Sequence, residues 1–428
     1  MKKTIEASLT EDYTHPVRDV LWGHIYMTEK QALLTESAPF MRLCRIFQLG
    51  PVYLVYPGAT HTRASHSIGV YHLGRRLLQN LVERGAGAWL SHEGVKSFLA
   101  ACLLHDLGHF PYTHSLKELP LTPHESLTGA IILKEPLKSL IGATGADPLL
   151  CATIVDKEMS FDSLTAVGFG DELNFYRRLL SSALDPDKLD YLNRDARFCG
   201  VPYGAQDVDF ILSRLHPNRE RGADIDSRLI PNVESILFSK YLMYRTVYWH
   251  RQVRAATAMV KKALIKGLKS KKITGEQLYN LDDNGLFTLI GEKTGDPLID
   301  AVHEGQIFTT AAEIPCKQVP LGKIQDINSR AMLEERLAAE ISKAGLKIGG
   351  EDIIIDIPEG ISFETGLYVM DEERNFSSSS SAFSTETVNA FIQTLYTIRI
   401  FLNHKFKDSI KTFSKLYDIL FEVINREV

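Results

Sequence analysis

Ala100-Ala101-Cys102-Leu103-Leu104-His105-Asp106-Leu107-Gly108-His109-Phe110-Pro111-Tyr112-Thr113-His114 is an apolar run that ends in an adjacent His-Asp pair and two further histidines. Such a run reads as the buried part of a helix. With Ser91 as N-cap and Gly108 as the stop, a helix is expected from Ser91 to about Leu107, burying Phe98, Leu99, Cys102 and Leu103. The stop gathers His105, Asp106, His109 and His114 at one helix end. A His-Asp pair alone is common, so its meaning depends on partners elsewhere in the chain.

The first partner lies upstream. In Thr62 to Glu83, His66, Val70, Leu73, Leu77 and Leu81 recur at helical spacing, which puts His66 at the head of a core-facing stripe with Arg63 one turn earlier. A core histidine bonded to a carbonyl beside a surface arginine is the competing reading. Downstream, Pro123-His124-Glu125 opens another helix, with His124 in its first turn. Further on, Asp185-Pro186-Asp187-Lys188-Leu189-Asp190-Tyr191-Leu192-Asn193-Arg194-Asp195 sets Asp187, Tyr191 and either Arg194 or Asp195 on one helix face. So acidic a face is not core unless a cation meets it.

His66, the His105-Asp106 pair and Asp187 together make two imidazoles and two carboxylates with no thiolate. That set suits octahedral Mn, Fe, Co, Ni or Mg and also admits Zn. Four protein ligands leave two octahedral positions open for a water and a phosphate oxygen, the arrangement of a phosphate-ester hydrolase. His109 and His124 are the proton-transfer candidates, because imidazole titrates near working pH. Arg63, Lys188 and Lys240 are candidate phosphate clamps.

The chain has 428 residues, of which 44% are apolar and 24% charged, with net charge −5; this is ordinary globular composition and argues against bulk attraction to nucleic acid or membrane. Five scattered cysteines without CxxC spacing disfavour a disulfide framework and a thiolate zinc site, and fit a reducing cytoplasm. No apolar run approaches the roughly 20 residues of a membrane span.

The order of motifs is recognisable. Gln48-Leu49-Gly50, Tyr56-Pro57-Gly58-Ala59-Thr60-His61-Thr62-Arg63-Ala64-Ser65-His66, His105-Asp106-Leu107-Gly108-His109, Pro123-His124-Glu125 and Asp187-Lys188-Leu189-Asp190-Tyr191 resemble the HD-domain deoxynucleoside triphosphate triphosphohydrolases. That group includes bacterial enzymes and an animal enzyme joining a SAM domain to an HD domain, and the likeness covers roughly residues 15 to 260. The resemblance implies a mainly α fold with an all-helical HD core. It places the metal on His66, His105, Asp106 and Asp187 and catalysis on His109 and His124. Arg63, Lys188 and Lys240 fall where relatives hold the triphosphate, and His114 faces the nucleotide. Gln48 and Leu49 match contacts to base and sugar, Asp195 a sugar contact, and Tyr191 and Tyr248 a platform that leaves no room for a 2′-hydroxyl.

The implied reaction converts a dNTP and water to deoxynucleoside and triphosphate, in a dimer or tetramer. Lys117 stands where relatives carry an acid that assists the catalytic histidine, so either the proton relay differs or Glu118 substitutes. Cys44 stands where an arginine reads a guanine effector, which makes GTP activation less expected, although a nucleotide effector stays open. Two other readings remain: a different HD phosphohydrolase, nucleotidase or phosphodiesterase, and a silent nucleotide- or nucleic-acid-binding protein.

The flanks are plainer. Phe40 to Leu49 is expected as a helix, and Val233 to about Lys269 as one long helix whose distal lysines, Lys261 to Lys272, form a solvated face. The texture changes near residue 273, so residues 1–272 are read as the HD core and 273–428 as a smaller α+β lobe. In that lobe Ile353 to Ile357 and Leu367 to Met370 look like strands, and helical spacing resumes through Val388, Phe391, Leu395, Ile398 and Leu402, then Phe406, Ile410, Phe413, Tyr417, Leu420 and Ile424.

Overall fold

The computed structural model describes residues 4–159, 170–318, 326–412 and 415–427; Phe413 lies outside the described residues. Helices dominate. An N-terminal hairpin, β1 (His15–Asp19) and β2 (Gly23–Met27), precedes the helices that build the site: α1 (Ala38–Leu43), α2 (Arg63–Glu83), α3 (His92–Leu104), α4 (His124–Ile132), α5 (Pro186–Cys199), α6 (Ile230–Met243) and α7 (Arg251–Lys269). Two short ribbons follow the same pattern of local pairing: β3 (His216–Asn218) with β4 (Gly222–Asp224), and β7 (Tyr368–Val369) with β8 (Arg374–Asn375). No helix among the described residues is long and apolar enough to cross a membrane.

The helix starts follow local capping chemistry. The Thr62 hydroxyl accepts from Ser65 N at the head of α2, the Ser91 hydroxyl from Gly94 N at the head of α3, and the Asp185 carboxylate from Lys188 N at the head of α5. The apolar stripe of α2 is buried as expected against α3 and α5, in a core that includes Leu73, Leu77, Phe98, Leu99, Cys102, Leu189 and Leu192. This packing, not propensity alone, stabilises the helices.

Gly108 has a different role from the stop expected of it, because α3 already ends at Leu104. A Cβ at residue 108 would lie 2.0 Å from His124 O and 2.6 Å from Thr128 N. Only glycine lets the first turn of α4 rest on the turn after α3, and Gly108 N donates to Thr128 Oγ1 at 2.8 Å across that contact. The close approach brings His124 up to His109.

Three expectations change. The helix over Phe40–Leu49 stops at Leu43, because the following residues pair with the strand-like segment before α2: Gln48 N donates to His61 O at 3.0 Å and Arg63 N to Ile46 O at 3.0 Å. The single helix over 233–269 is two, separated by a π-helical turn (Tyr244–Tyr248) and Trp249, with the His250 ring accepting from Gln252 N to cap α7. Its distal lysines are not all solvated: Lys261 is buried against Glu118 and Glu359, Lys262 donates to Glu334 at 2.7 Å and Lys266 to Asp296 at 3.0 Å.

Beyond α7 a three-stranded antiparallel sheet runs in the order β5 (Thr309–Pro315), β9 (Thr397–Leu402), β6 (Ile353–Asp356). The helical spacing assigned through Ile398 and Leu402 is therefore wrong, since helix ends at Leu395. Thr397-Ile398-Arg399-Ile400-Phe401-Leu402 is a nearly continuous buried β-branched and apolar run, which suits a central strand. Such a run imitates the helical stripe because every residue in it is inward. One face of the sheet meets a helix, Ile327–Lys343, through Leu333, Leu337 and Ile341. The other meets α7, where Ala255, Met259, Val260 and Leu264 share a second core with Phe110, Leu116, Ile354 and Phe401.

Candidate active site

All the residues singled out as ligands, acid–base groups or substrate contacts line one cavity of about 820 Å³: Gln48, Leu49, Arg63, His66, His105, Asp106, His109, His114, His124, Asp187, Lys188, Tyr191, Asp195, Lys240 and Tyr248. The first turns of α2, α4 and α5 and the turn after α3 form one wall. The end of α6 with the π-helical turn forms another. Glu359, Gly360, Ile361, Ser362 and Glu364, more than a hundred residues later, close a third.

His66, His105 and Asp187 each offer a ligand atom within 4.8 Å of the others. Asp187 Oδ1 is 2.9 Å from His66 Nε2 and 3.9 Å from His105 Nε2, and Asp106 Oδ1 is 3.3 Å from His105 Nε2. The outer nitrogens are already committed: His105 Nδ1 faces Cys102 O at 3.0 Å and His66 Nδ1 faces Asp190 Oδ2 at 2.8 Å. Acceptors on both Nδ1 atoms fix the tautomers that leave the Nε2 lone pairs for the cavity. His105 Nε2 is buried and, the facing carboxylates apart, makes no hydrogen bond among the described residues.

The charge balance agrees. Burial disfavours an imidazolium at His66, but Asp187 and Asp190 outweigh it and raise its pKa to about 10. For Asp187 and Asp106, burial is outweighed by the facing imidazoles, with Arg63 assisting at Asp106, and both are held below the usual carboxylate range. The paired carboxylates favour positive charge among these groups, and the donor set fits a divalent cation, which would displace the second proton from His66.

A second group, His109, His114 and His124, stands beside it with candidate ligand atoms also within 4.8 Å. The His109 and His124 ring centroids are 3.9 Å apart, with the ring planes tilted by 33°. Burial and the neighbouring His114 push His124 down to about 2, which keeps the imidazole in its neutral form. His109 Nε2 is 3.1 Å from Asp106 Oδ1, and His124 Nδ1 is 3.1 Å from Glu125 Oε2. Glu125 is therefore the acid beside the histidines. Glu118 points elsewhere, pairing with Lys261 and Arg330, while Lys117 lines the cavity.

The cations expected to meet phosphate carry protein partners. Arg63 Nη1 donates to Asp106 at 2.8 Å, Lys188 Nζ to Asp185 at 2.6 Å, and Lys240 Nζ to Glu364 at 2.9 Å and Ser362 O at 2.7 Å. Asp195 receives the Tyr248 hydroxyl at 2.6 Å and faces His61 Nε2 at 2.9 Å. Gln48 Oε1 is buried without a partner. Asp190, His61 and Glu364 were not identified from sequence. Asp190 and His61 sit inside the recognisable motifs, whereas Glu364 has no local signal.

Residues 63–153 match the HD domain, and residues 214–417 match the HD associated region. By these two matches the chain falls among the HD-domain proteins. Within that class the chain is similar to deoxynucleoside triphosphate triphosphohydrolases: it is 26% identical to SAMHD1 of Homo sapiens, over 80% of this chain and 62% of that protein. It is 35% identical to the uncharacterized protein YwfO of Bacillus subtilis, over 56% of this chain and 53% of that one. The chain thus spans about half the length of the Bacillus relative. A solved phosphohydrolase structure from Bacteroides thetaiotaomicron has the same fold, with TM-score 0.70 and 22% identity over 91% of this chain and 100% of that chain.

Proposed function

We propose that this protein is a metal-dependent dNTP triphosphohydrolase. The carrying observation is that two imidazoles and two carboxylates poised for a cation share one cavity with the cations and tyrosines of a nucleotide platform. When bound at His66, His105, Asp106 and Asp187, a divalent ion, Mn, Mg, Fe, Ni, Co or Zn, lowers the pKa of water and offsets charge on the phosphoryl group. Arg63, Lys188 and Lys240 hold the triphosphate, Lys240 after exchanging Glu364 for phosphate oxygen. Tyr191 and Tyr248 pack on the sugar, with Gln48, Leu49, Asp195 and His114 around base and ribose. Water attacks the α-phosphorus, the P–O5′ bond breaks, and His109 and His124 manage the protons, one reaching O5′ of the departing nucleoside.

Incubation of metal-loaded protein with each dNTP, NTP and dNMP, with products resolved by ion exchange, tests this. Deoxynucleoside and triphosphate are expected from dNTPs. Orthophosphate or pyrophosphate release would instead place the protein with other HD nucleotidases or phosphodiesterases. His124→Ala is expected to lower turnover by about 10² to 10⁴ with metal content unchanged, as loss of an acid–base group does; metal analysis alongside turnover checks it.

The wider reading has residues 1–272 as the catalytic core and 273–428 as a lobe lending one cavity wall. A cytoplasmic location, supported by five free cysteines, is part of it, as is a homo-oligomer, dimer or tetramer, which rests on the family resemblance. Sedimentation with and without nucleotide measures the assembly and any effector.

A further inference from the structure

We infer that Asp190 is the positioning residue for the metal ligand His66, and that the N-terminal hairpin holds Asp190 in place. This rests on the reading of His66 as a ligand. A carboxylate only accepts, so the 2.8 Å contact from Asp190 Oδ2 holds a proton on His66 Nδ1 and turns Nε2 toward the cavity, where Asp187 Oδ1 lies 2.9 Å away.

Asp190 is itself fully enclosed and held from three directions. Arg194, four residues on, donates from Nε to Oδ2 at 2.8 Å and from Nη2 to Oδ1 at 2.9 Å. Trp22 Nε1, in the turn between β1 and β2, donates to Oδ1 at 2.6 Å. Asp19, at the end of β1, accepts from Arg194 Nη1 at 2.9 Å and so locks the arginine in turn.

Gly69 makes the room. A Cβ there would lie 1.9 Å from Asp190 Oδ1 and 2.5 Å from Arg194 Nη2, so α2 carries its ligand and, one turn later, the gap that admits the ligand's orienting carboxylate. A chain segment far from the metal-binding motifs thus completes the outer shell of the centre.

The test is Mn²⁺ affinity, measured by the free-ion EPR signal in titrations of the full chain, with turnover and thermal unfolding recorded separately. Asp190→Asn turns an amide NH₂ or an uncharged carbonyl toward His66 and is expected to raise the Mn²⁺ Kd about 10- to 100-fold. Trp22→Phe, which keeps the ring and loses one hydrogen bond, is expected to raise it about fivefold. Trp22→Phe decides the matter should Asp190→Asn fail to fold. Wild-type Mn²⁺ affinity in the folded variants, whether or not melting falls, overturns the inference. His66→Ala is the control: retained Mn²⁺ there would overturn the ligand reading instead.

Discussion

Replacing His105 or Asp187 with alanine is expected to remove the bound divalent ion and lower turnover by about 10³-fold or more, with the helical circular-dichroism signal unchanged. The size follows from the several kcal/mol that a bound ion contributes to a phosphoryl transition state, at about 1.4 kcal/mol per factor of ten. Fold retention follows from where the two residues sit. His105 is the cap residue after α3, with one hydrogen bond from its ring to Cys102 O, and Asp187 is in the first turn of α5, whose cap is Asp185. Neither side chain belongs to the apolar core. Metal analysis of the purified variants beside their turnover decides the result; retained metal would mean that the ligand set is wrong.

Arg254→Met is expected to cost about 3–5 kcal/mol of stability, the penalty for stranding buried charge. The Arg254 guanidinium donates to both oxygens of Asp356, at 2.6 and 2.8 Å, and to Glu359 at 2.7 Å. Asp356 is 1% exposed. In the native protein burial opposes ionisation of Asp356 but Arg254 outweighs it, so its pKa is depressed. That contribution is present above the carboxylate's unfolded pKa and is lost as pH falls through the folded one. In the variant the sign reverses: burial raises the orphaned carboxyl, so the deficit shrinks on acidification. Urea unfolding from pH 7 down to about pH 2.5, below the ordinary carboxylate pKa, measures both effects, and adding Asp356→Asn and Glu359→Gln to the variant is expected to recover much of the loss.

What was legible in the chain divides by physical cause. Each candidate ligand sat in a short local motif whose members the fold gathers in one cavity, and the α2 stripe and the cap Ser91 were readable because helix periodicity and capping are local in sequence. The residues that hold others in place were not. Asp190 carried no role in the sequence reading, yet His66 and Trp22 meet it from two other segments and Arg194 from its own helix. Glu364 lies 124 positions from Lys240, on a loop with no periodicity. Lys261 read as surface because its acidic partners, Glu118 and Glu359, come from distant elements. The break at Trp249 escaped notice because the apolar pattern on both sides keeps helical spacing, and the strand Thr397–Leu402 because a fully buried run has no polar face to reveal period two.

The position of that strand bears on synthesis. β9 is the middle of its sheet and begins at residue 397, so β5 and β6 emerge from the ribosome with no ladder partner until it follows. Phe401 from β9 and Phe110 and Leu116 from the loop after His109 share one core. The helices that carry the candidate ligands are translated early, whereas the apolar support behind the histidine loop is complete only after Phe401 has been made. A ribosome-stalled series is accordingly expected to show protease resistance first around α2, α3 and α5, and around residues 109–119 only once residue 402 has cleared the exit tunnel.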